Sequence, residues 1–298
     1  MELFVARVFD GLANGATYAM VAIALVLIFK ATTLINFAQG ELAMFGAFIA
    51  YTAWFNWGIP MWGAVAIAVM ISAALGAVVE RTLIRPFDPD DHLPLVIITL
   101  GLFLVLNSLA GIIWGLEPLR FPELFPPGNA IEIGTTARLS WYTVFTLATV
   151  VGLLAGLTLL LNRTRFGLAF RAVSSNVSSA QLVGIRVGPT LQFGWALAAG
   201  VGTLGASIFI ANPVLSIDPN FMVRVLIFSA AAAALGGLDS LWGALVGGLV
   251  VGLSQSVLLP YLPFIPNQLS LAIAAVVLLG VLLVRPSGLF GSVKVRRL

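Results

Sequence analysis

Apolar runs recur along the chain at 7–30, 36–56, 61–84, 94–115, 141–162, 190–211, 222–236, 241–259 and 268–285. Short polar, charged or Pro/Gly-bearing stretches separate them. A helix that crosses a bilayer needs about 20 mostly apolar residues, so this pattern predicts a bundle of membrane helices. A membrane barrel would show segments of about 10 residues with alternating polarity, and none are visible. Two places break the pattern. Leu34 to Phe48 reads LINFAQGELAMFGAF, with Asn36, Gln39, Gly40 and Glu41 inside an otherwise apolar run. Leu235 to Ser240 reads LGGLDS and closes a run of roughly 15 residues, short for a full crossing at 1.5 Å per residue. The expected fold is all-α and integral to the membrane: a polytopic helical bundle of about 8–9 transmembrane segments, two of them short or broken.

Composition strengthens this reading. Sixty per cent of the 298 residues are apolar and 9% charged, with a mean hydropathy of +1.07. A soluble domain is roughly 25% charged, so a soluble enzyme is excluded and residues 1–298 read as one membrane domain. Cysteine is absent, which excludes disulfides and thiolate chemistry. The start, MELFVARVFD, reads as the retained beginning of the first helix and not as a signal peptide. Charge orients the bundle. Lys30, Arg81, Arg85, Arg163, Arg165, Arg171, Arg186, Arg285, Lys294, Arg296 and Arg297 fall at one set of helix ends, and Arg7, Arg120, Arg138 and Arg224 at the other. The richer set marks the cytoplasm, which puts the N-terminus outside and the C-terminus inside. Leu116–Ser140, with Pro118, Pro122, Pro126 and Pro127, reads as an irregular external loop.

The cytoplasmic stretch 163–188 has a helical pattern instead. Leu168, Phe170, Ala172 and Val173 form a short apolar patch beside Arg165 and Arg171. Ser178 and Gln181 fit a capping box, and Gly184 a helix stop. Two short surface helices are expected, either resting on lipid headgroups or meeting a protein partner, with the uncharged Ser/Asn/Gln content favouring protein.

Chemistry is sparse. No ATP-binding, zinc-protease or nucleophile-elbow motif is present. His92 stands alone in RPFDPDDHLP, where a solvated turn is the plain reading. Gly200-Val-Gly202-Thr-Leu-Gly205 lacks the preceding strand of a dinucleotide site and reads as a packing face. Small-xxx-small pairs at Gly11/Gly15, Gly111/Gly115, Gly152/Gly156, Gly243/Gly247 and Gly248/Gly252 allow close helix approach. The polar candidates are therefore the two breaks. Carriers expose helix ends to ligands at such breaks, whereas an ordinary turn would use Asp239-Ser240 or Glu41 only as caps.

Five blocks carry a resemblance: NGATYAMVAIALVLIF, LINFAQGELAMFGAF, TRFGLAFRAVSSNVSSAQLVGI, ALGGLDSLWGALVGG and RPSGLFG. In this order and spacing the chain resembles the LivH-type membrane permease of branched-chain amino acid ABC importers, over essentially its whole length. Gln39 stands where many members carry His, keeping polarity without a titratable group. The resemblance implies a type II importer permease in the bacterial inner membrane, one that is not itself an enzyme and needs no cofactor or metal. It implies a second related permease, two cytoplasmic ATPase subunits, an extracytoplasmic binding protein and an amino acid substrate, with no nucleic acid. Asn36, Gln39, Glu41, Asn107 and Asp239 would line the translocation path. Phe166, Phe170, Ala180, Leu182 and Gly184 would contact the ATPase, with Arg171 as a polar anchor. A related importer of urea or short amides, or a stand-alone secondary transporter, are the alternatives. A stand-alone carrier would need a coupling-ion site and would leave 163–188 unexplained; an intramembrane enzyme would need a convergent catalytic set, and none is visible.

Overall fold

A computed structural model describes residues 2–87, 92–133, 137–258 and 270–291. All nine expected spans are helical there, and 163–188 adds two more helices. The order is α1 (Glu2–Thr32), α2 (Gln39–Phe55), α3 (Met61–Val79), α4 (His92–Trp114), α5 (Trp141–Arg163), α6 (Arg165–Ser175), α7 (Val177–Leu182), α8 (Val187–Ile210), α9 (Phe221–Gly236), α10 (Leu241–Leu258) and α11 (Ser270–Val284). Residue 259 of the eighth expected span, residues 268 and 269 of the last, and Lys294, Arg296 and Arg297 lie outside the described residues. Among the described residues six helices are long and apolar enough to cross a bilayer: α1, α3 with its extension to Ile84, α4, α5, α8 and α10. The other three are short, with 17 residues in α2, 16 in α9 and 15 in α11. At 1.5 Å per residue they reach roughly 22–26 Å, against about 30 Å of hydrocarbon. Outward faces are apolar, as Ile97, Leu104 and Ile112 on α4 show. Such faces suit lipid and would be a liability in water.

The sequence expectation differs from the structure at several boundaries. His92 opens α4 instead of sitting in a turn. Gly188 and Pro189 fall inside the first turn of α8, where a missing N–H costs nothing. Leu116–Ser140 is not irregular throughout: β1 (Asn129–Ile133) and β2 (Ala137–Ser140) pair antiparallel, with Glu132 opposite Arg138.

The chain divides into two compact units. One draws on Met1–Val26, Phe125–Val150 and the chain from Leu226 onward. There the first half of α1 packs on α10. A Cβ on Gly15 would stand 2.8 Å from Leu249 Cα, and one on Gly248 2.6 Å from Ala19 N. The Gly11/Gly15 and Gly248/Gly252 pairs thus meet each other within the chain, as small residues permit. Tyr18 Oη donates to Gln255 Oε1 at 2.9 Å, and its ring stacks on Phe228 at 5.1 Å.

The other unit draws on Leu27–Leu124 and Val151–Val225. Its core is α2, α3 and α8. They converge at Gly46, where a Cβ would overlap Thr203 of α8 and stand 2.5 Å from Ser72 Oγ of α3. A Cβ on Gly202 would lie 2.5 Å from Gln39 Nε2, so the literal G-x-G-x-x-G is a packing face. A π-helical turn, Glu80–Ile84, continues α3. Beyond it Arg85 turns back to α8. Its Nη2 donates to Glu80 Oε2 at 2.6 Å, to Gly188 O at 3.1 Å and to Gln192 Oε1 at 3.1 Å, and Nε donates to Glu80 Oε1 at 3.2 Å. Glu80 is 1% exposed, so this guanidinium supplies the counter-charge a buried carboxylate needs.

Candidate functional site

The first break lies deep in the second unit. α1 ends at Thr32, and Thr33 takes φ +58, rare for a β-branched residue. Its N–H donates to Phe29 O at 2.7 Å, which holds the turn. Asn36 Oδ1 then accepts from Ala38 N at 3.0 Å, and Asn36 O from Gln39 N at 3.2 Å. This local turn closes the start of α2, whose N-cap Ala38 has no side-chain acceptor to offer. Asn36 Nδ2 also donates to Gln39 Oε1 at 3.5 Å. Gln39 Nε2 donates at 3.0 Å to Ala198 O, near the middle of α8.

Glu41 is in the first turn of α2, but it is not a cap. Its Oε2 accepts from Asn107 Nδ2 at 3.3 Å, in the second half of α4. The break is therefore level with the interior of two spanning helices. Non-helical backbone is tolerated at that depth only where protein or a water-filled cavity covers it. Here it is protein: Asn36, Ala38, Gln39 and Glu41 are each 1% exposed or less. Asn107 Nδ2 further donates to Pro219 O at 2.8 Å and Asn220 Oδ1 at 3.4 Å, just before α9. Glu41 Oε1 has no hydrogen-bond partner. A cavity of about 10 Å³ beside Asn36, Thr99 and Trp195 has room for one water.

The second break, in the other unit, is a closed turn. Gly237 takes φ +104, where glycine is the residue without a Cβ penalty. Ser240 Oγ accepts from Gly243 N at 2.9 Å, so Ser240 and not Asp239 caps α10. The block RPSGLFG seals the same turn: Leu289 N and Phe290 N donate to Leu235 O and Gly236 O at 2.8 and 3.0 Å. These are carbonyls that the end of α9 would otherwise leave unpaired. Asp239 is half-buried in this turn.

Segment 163–188 forms two capped helices, as expected, with two corrections. Thr164 Oγ1 accepts from Gly167 N at 3.1 Å to cap α6, and Asn176 Oδ1 from Ser179 N at 2.7 Å to cap α7. Ser178 lies inside α7 and is not its cap. Gly184 stops α7 at φ +82. Phe170 and Ala180, expected at a partner-facing surface, are 1% and 2% exposed. Phe170 lies against Gly194 of α8, and Phe166 meets Phe193 edge-on at 4.3 Å. Leu182 at 89%, Val183 at 75% and Leu168 at 63% are the exposed apolar side chains, and Arg171 is exposed as well.

Sequence reasoning missed Asn220, Glu80, Arg85 and Gln192. Two charges five residues apart at the end of an apolar run were the available signal for Glu80 and Arg85; Asn220, in SIDPNF, had none beyond a turn-like composition. No group of three or more His, Cys, Asp or Glu suited to a metal occurs among the described residues.

The family described as "Branched-chain amino acid transport system / permease component" matches residues 7–282. The high-affinity branched-chain amino acid transport system permease protein LivH of Escherichia coli K12 is 29% identical over 309 residues, covering 99% of this chain and 97% of that protein. LivH of Salmonella typhimurium is 30% identical over 312 residues, with 99% and 97% covered. BraD of Pseudomonas aeruginosa, named for the same transport system, is 29% identical over 310 residues, with 99% and 98% covered.

Proposed function

The chain belongs to the branched-chain amino acid transport system permease family, and from that premise we propose that it is one permease subunit of an ATP-driven importer. A multi-pass membrane permease of an ABC importer follows from the family and from the six long apolar helices among the described residues. Residues 1–298 act as one permease domain in the bacterial inner membrane. It pairs with a second related permease, and branched-chain or other hydrophobic amino acids reach it from an extracytoplasmic binding protein. Two cytoplasmic ATPase subunits supply the energy. The N-terminus is outside and the C-terminus inside, because Lys30, Arg81, Arg85, Arg163, Arg165, Arg171, Arg186, Arg285, Lys294, Arg296 and Arg297, 11 of the 15 basic residues, fall at one set of helix ends. Residues 116–140 then face outward and 163–188 inward.

One observation carries the ATPase part of this reading. A pair of capped helices, too short to cross a membrane, leaves Leu168, Arg171, Leu182 and Val183 exposed in a segment that leads directly into α8. We assign the ATPase contact to Leu168, Arg171, Leu182, Val183 and Gly184. Phe166, Phe170 and Ala180 serve it from beneath, by fixing α6 and α7 on α8. Asn36, Gln39, Glu41 and Asn107 form the polar step of the path, and Asp239 marks the second break.

The test is purification of the tagged chain in mild detergent, followed by mass spectrometry and an ATPase assay. Recovery of a second permease and two ATPases supports the reading. A lone, stable protein without hydrolysis refutes it and favours a stand-alone carrier. Leu182→Asp should abolish ATPase capture and leave the chain's own stability within about 0.5 kcal/mol, because the side chain is 89% exposed.

A further inference from the structure

At Asn107 one amide nitrogen faces more oxygens than it has hydrogens. Four oxygens belong to the cluster: Glu41 Oε1 and Oε2, Pro219 O and Asn220 Oδ1. Asn107 Nδ2, with two hydrogens, lies 3.3, 2.8 and 3.4 Å from the last three of these. Glu41 Oε1, in a side chain 0% exposed, has no partner at all. Turning the Asn107 amide over would set its oxygen against Glu41 Oε2 and Pro219 O, so the orientation with Nδ2 toward them is the better one. Asn220 is exposed and Asn107 half-buried, so the cluster opens at one end. That end is level with the second half of α4, a depth where lipid would leave an asparagine amide unsatisfied.

What complements such a place is a positively charged group with several N–H donors and no acceptor. A primary ammonium offers three donors and one charge, matching one carboxylate and two neutral oxygens. We propose that Glu41, Asn107 and Asn220, with Pro219 O, form a site for a primary ammonium group, taken up from the Asn220 side. The assignment deepens the function proposed above and rests on it for the ligand: the α-ammonium of an amino acid in transit. Glu41 supplies the charge, Asn220 Oδ1 and Pro219 O accept the remaining N–H groups, and Asn107 holds Glu41 in place.

The test separates the site from the transport reading. The full chain is placed in nanodiscs, and its thermal midpoint is followed with isobutylammonium, tetramethylammonium, sodium or urea added. Isobutylammonium should raise the midpoint of the wild type, and tetramethylammonium, which has charge but no N–H, should not. Glu41→Gln should weaken the isobutylammonium response at least tenfold in concentration, and Asn220→Ala, at the open end, several-fold. The Asn220 variant keeps the test usable should Glu41→Gln unfold the chain. Equal responses to tetramethylammonium or sodium would overturn the ammonium assignment, as would a response to urea alone or to no probe. In the assembled importer, Glu41→Gln should raise the KM for L-leucine at least tenfold, with the ATPase subunits still bound. Ammonium binding by a chain whose complex transports no amino acid would refute the proposed function and leave the site standing. Leucine uptake untouched by Glu41→Gln would refute the site and leave the function standing.

Discussion

Arg85→Gln tests the tie between α3 and α8. The wild-type guanidinium makes two hydrogen bonds to Glu80 and one each to Gly188 O and Gln192 Oε1. The variant keeps a polar side chain but removes the charge, so Glu80 is left as a buried carboxylate without a counter-ion. Breaking one side of a buried ion pair costs about 3–5 kcal/mol, most of it from the charge left behind. The Arg85 side chain is 35% exposed, so water reaches the vacated end and the low end of that range applies, about 3 kcal/mol. Glu80→Gln should cost less, about 1 kcal/mol, because the remaining guanidinium can turn to solvent and keep its bonds to α8. The double variant Glu80→Gln/Arg85→Gln carries no buried charge and should cost about 1–2 kcal/mol. The three values then differ from additivity by roughly 2–3 kcal/mol. Reversible unfolding in mixed micelles, followed by far-UV circular dichroism, measures all three. A double variant as unstable as the two single variants summed would refute the reasoning, because the cost would then lie in lost packing and not in an uncompensated charge.

Three further outcomes follow from particular contacts. Gly46→Val should cost about 1–3 kcal/mol or more in the same assay, since α2, α3 and α8 leave no room for a side chain there; a variant of normal stability would mean the three helices do not meet at that point. Asn176→Ala should cost about 1 kcal/mol locally, seen as faster amide exchange at Ser179 with the global midpoint unchanged. Gly184→Val puts a β-branched residue at φ +82, at about 1–3 kcal/mol of strain, and should weaken ATPase capture by loosening the end of α7 without displacing α8.

The spans were legible because hydrophobicity in a membrane chain is a matter of length, and length is local. The breaks were legible as interruptions, and their depth was not. Depth is fixed by what Gln39 and Glu41 touch, and those partners lie 159 and 66 residues away in the chain. The surface helices divide in the same manner. Two helices were expected and found, but Phe170 was assigned outward when it turns inward. Helical spacing already put Phe166, Phe170 and Val173 on one face and Leu168 on another. Only Gly194, which leaves a space for the Phe170 ring on α8, decides which face is covered.

Among the described residues two carboxylates are essentially excluded from solvent, Glu41 and Glu80. Their surroundings are opposite. Glu80 receives a guanidinium through both oxygens, and the same guanidinium bonds α8. Every demand that burial makes on it is met inside the chain, so its role is complete as a tie between helices. Glu41 receives one neutral amide on one oxygen and nothing on the other. A fold that can satisfy one buried carboxylate within 2.6 Å has no general difficulty in doing so. One Glu41 oxygen left without a donor, beside Asn107 and the exposed Asn220, is the vacancy that the proposed ammonium would fill. A guanidinium at that position would satisfy Glu41 as Arg85 satisfies Glu80, and would occupy the place that the proposed ammonium takes.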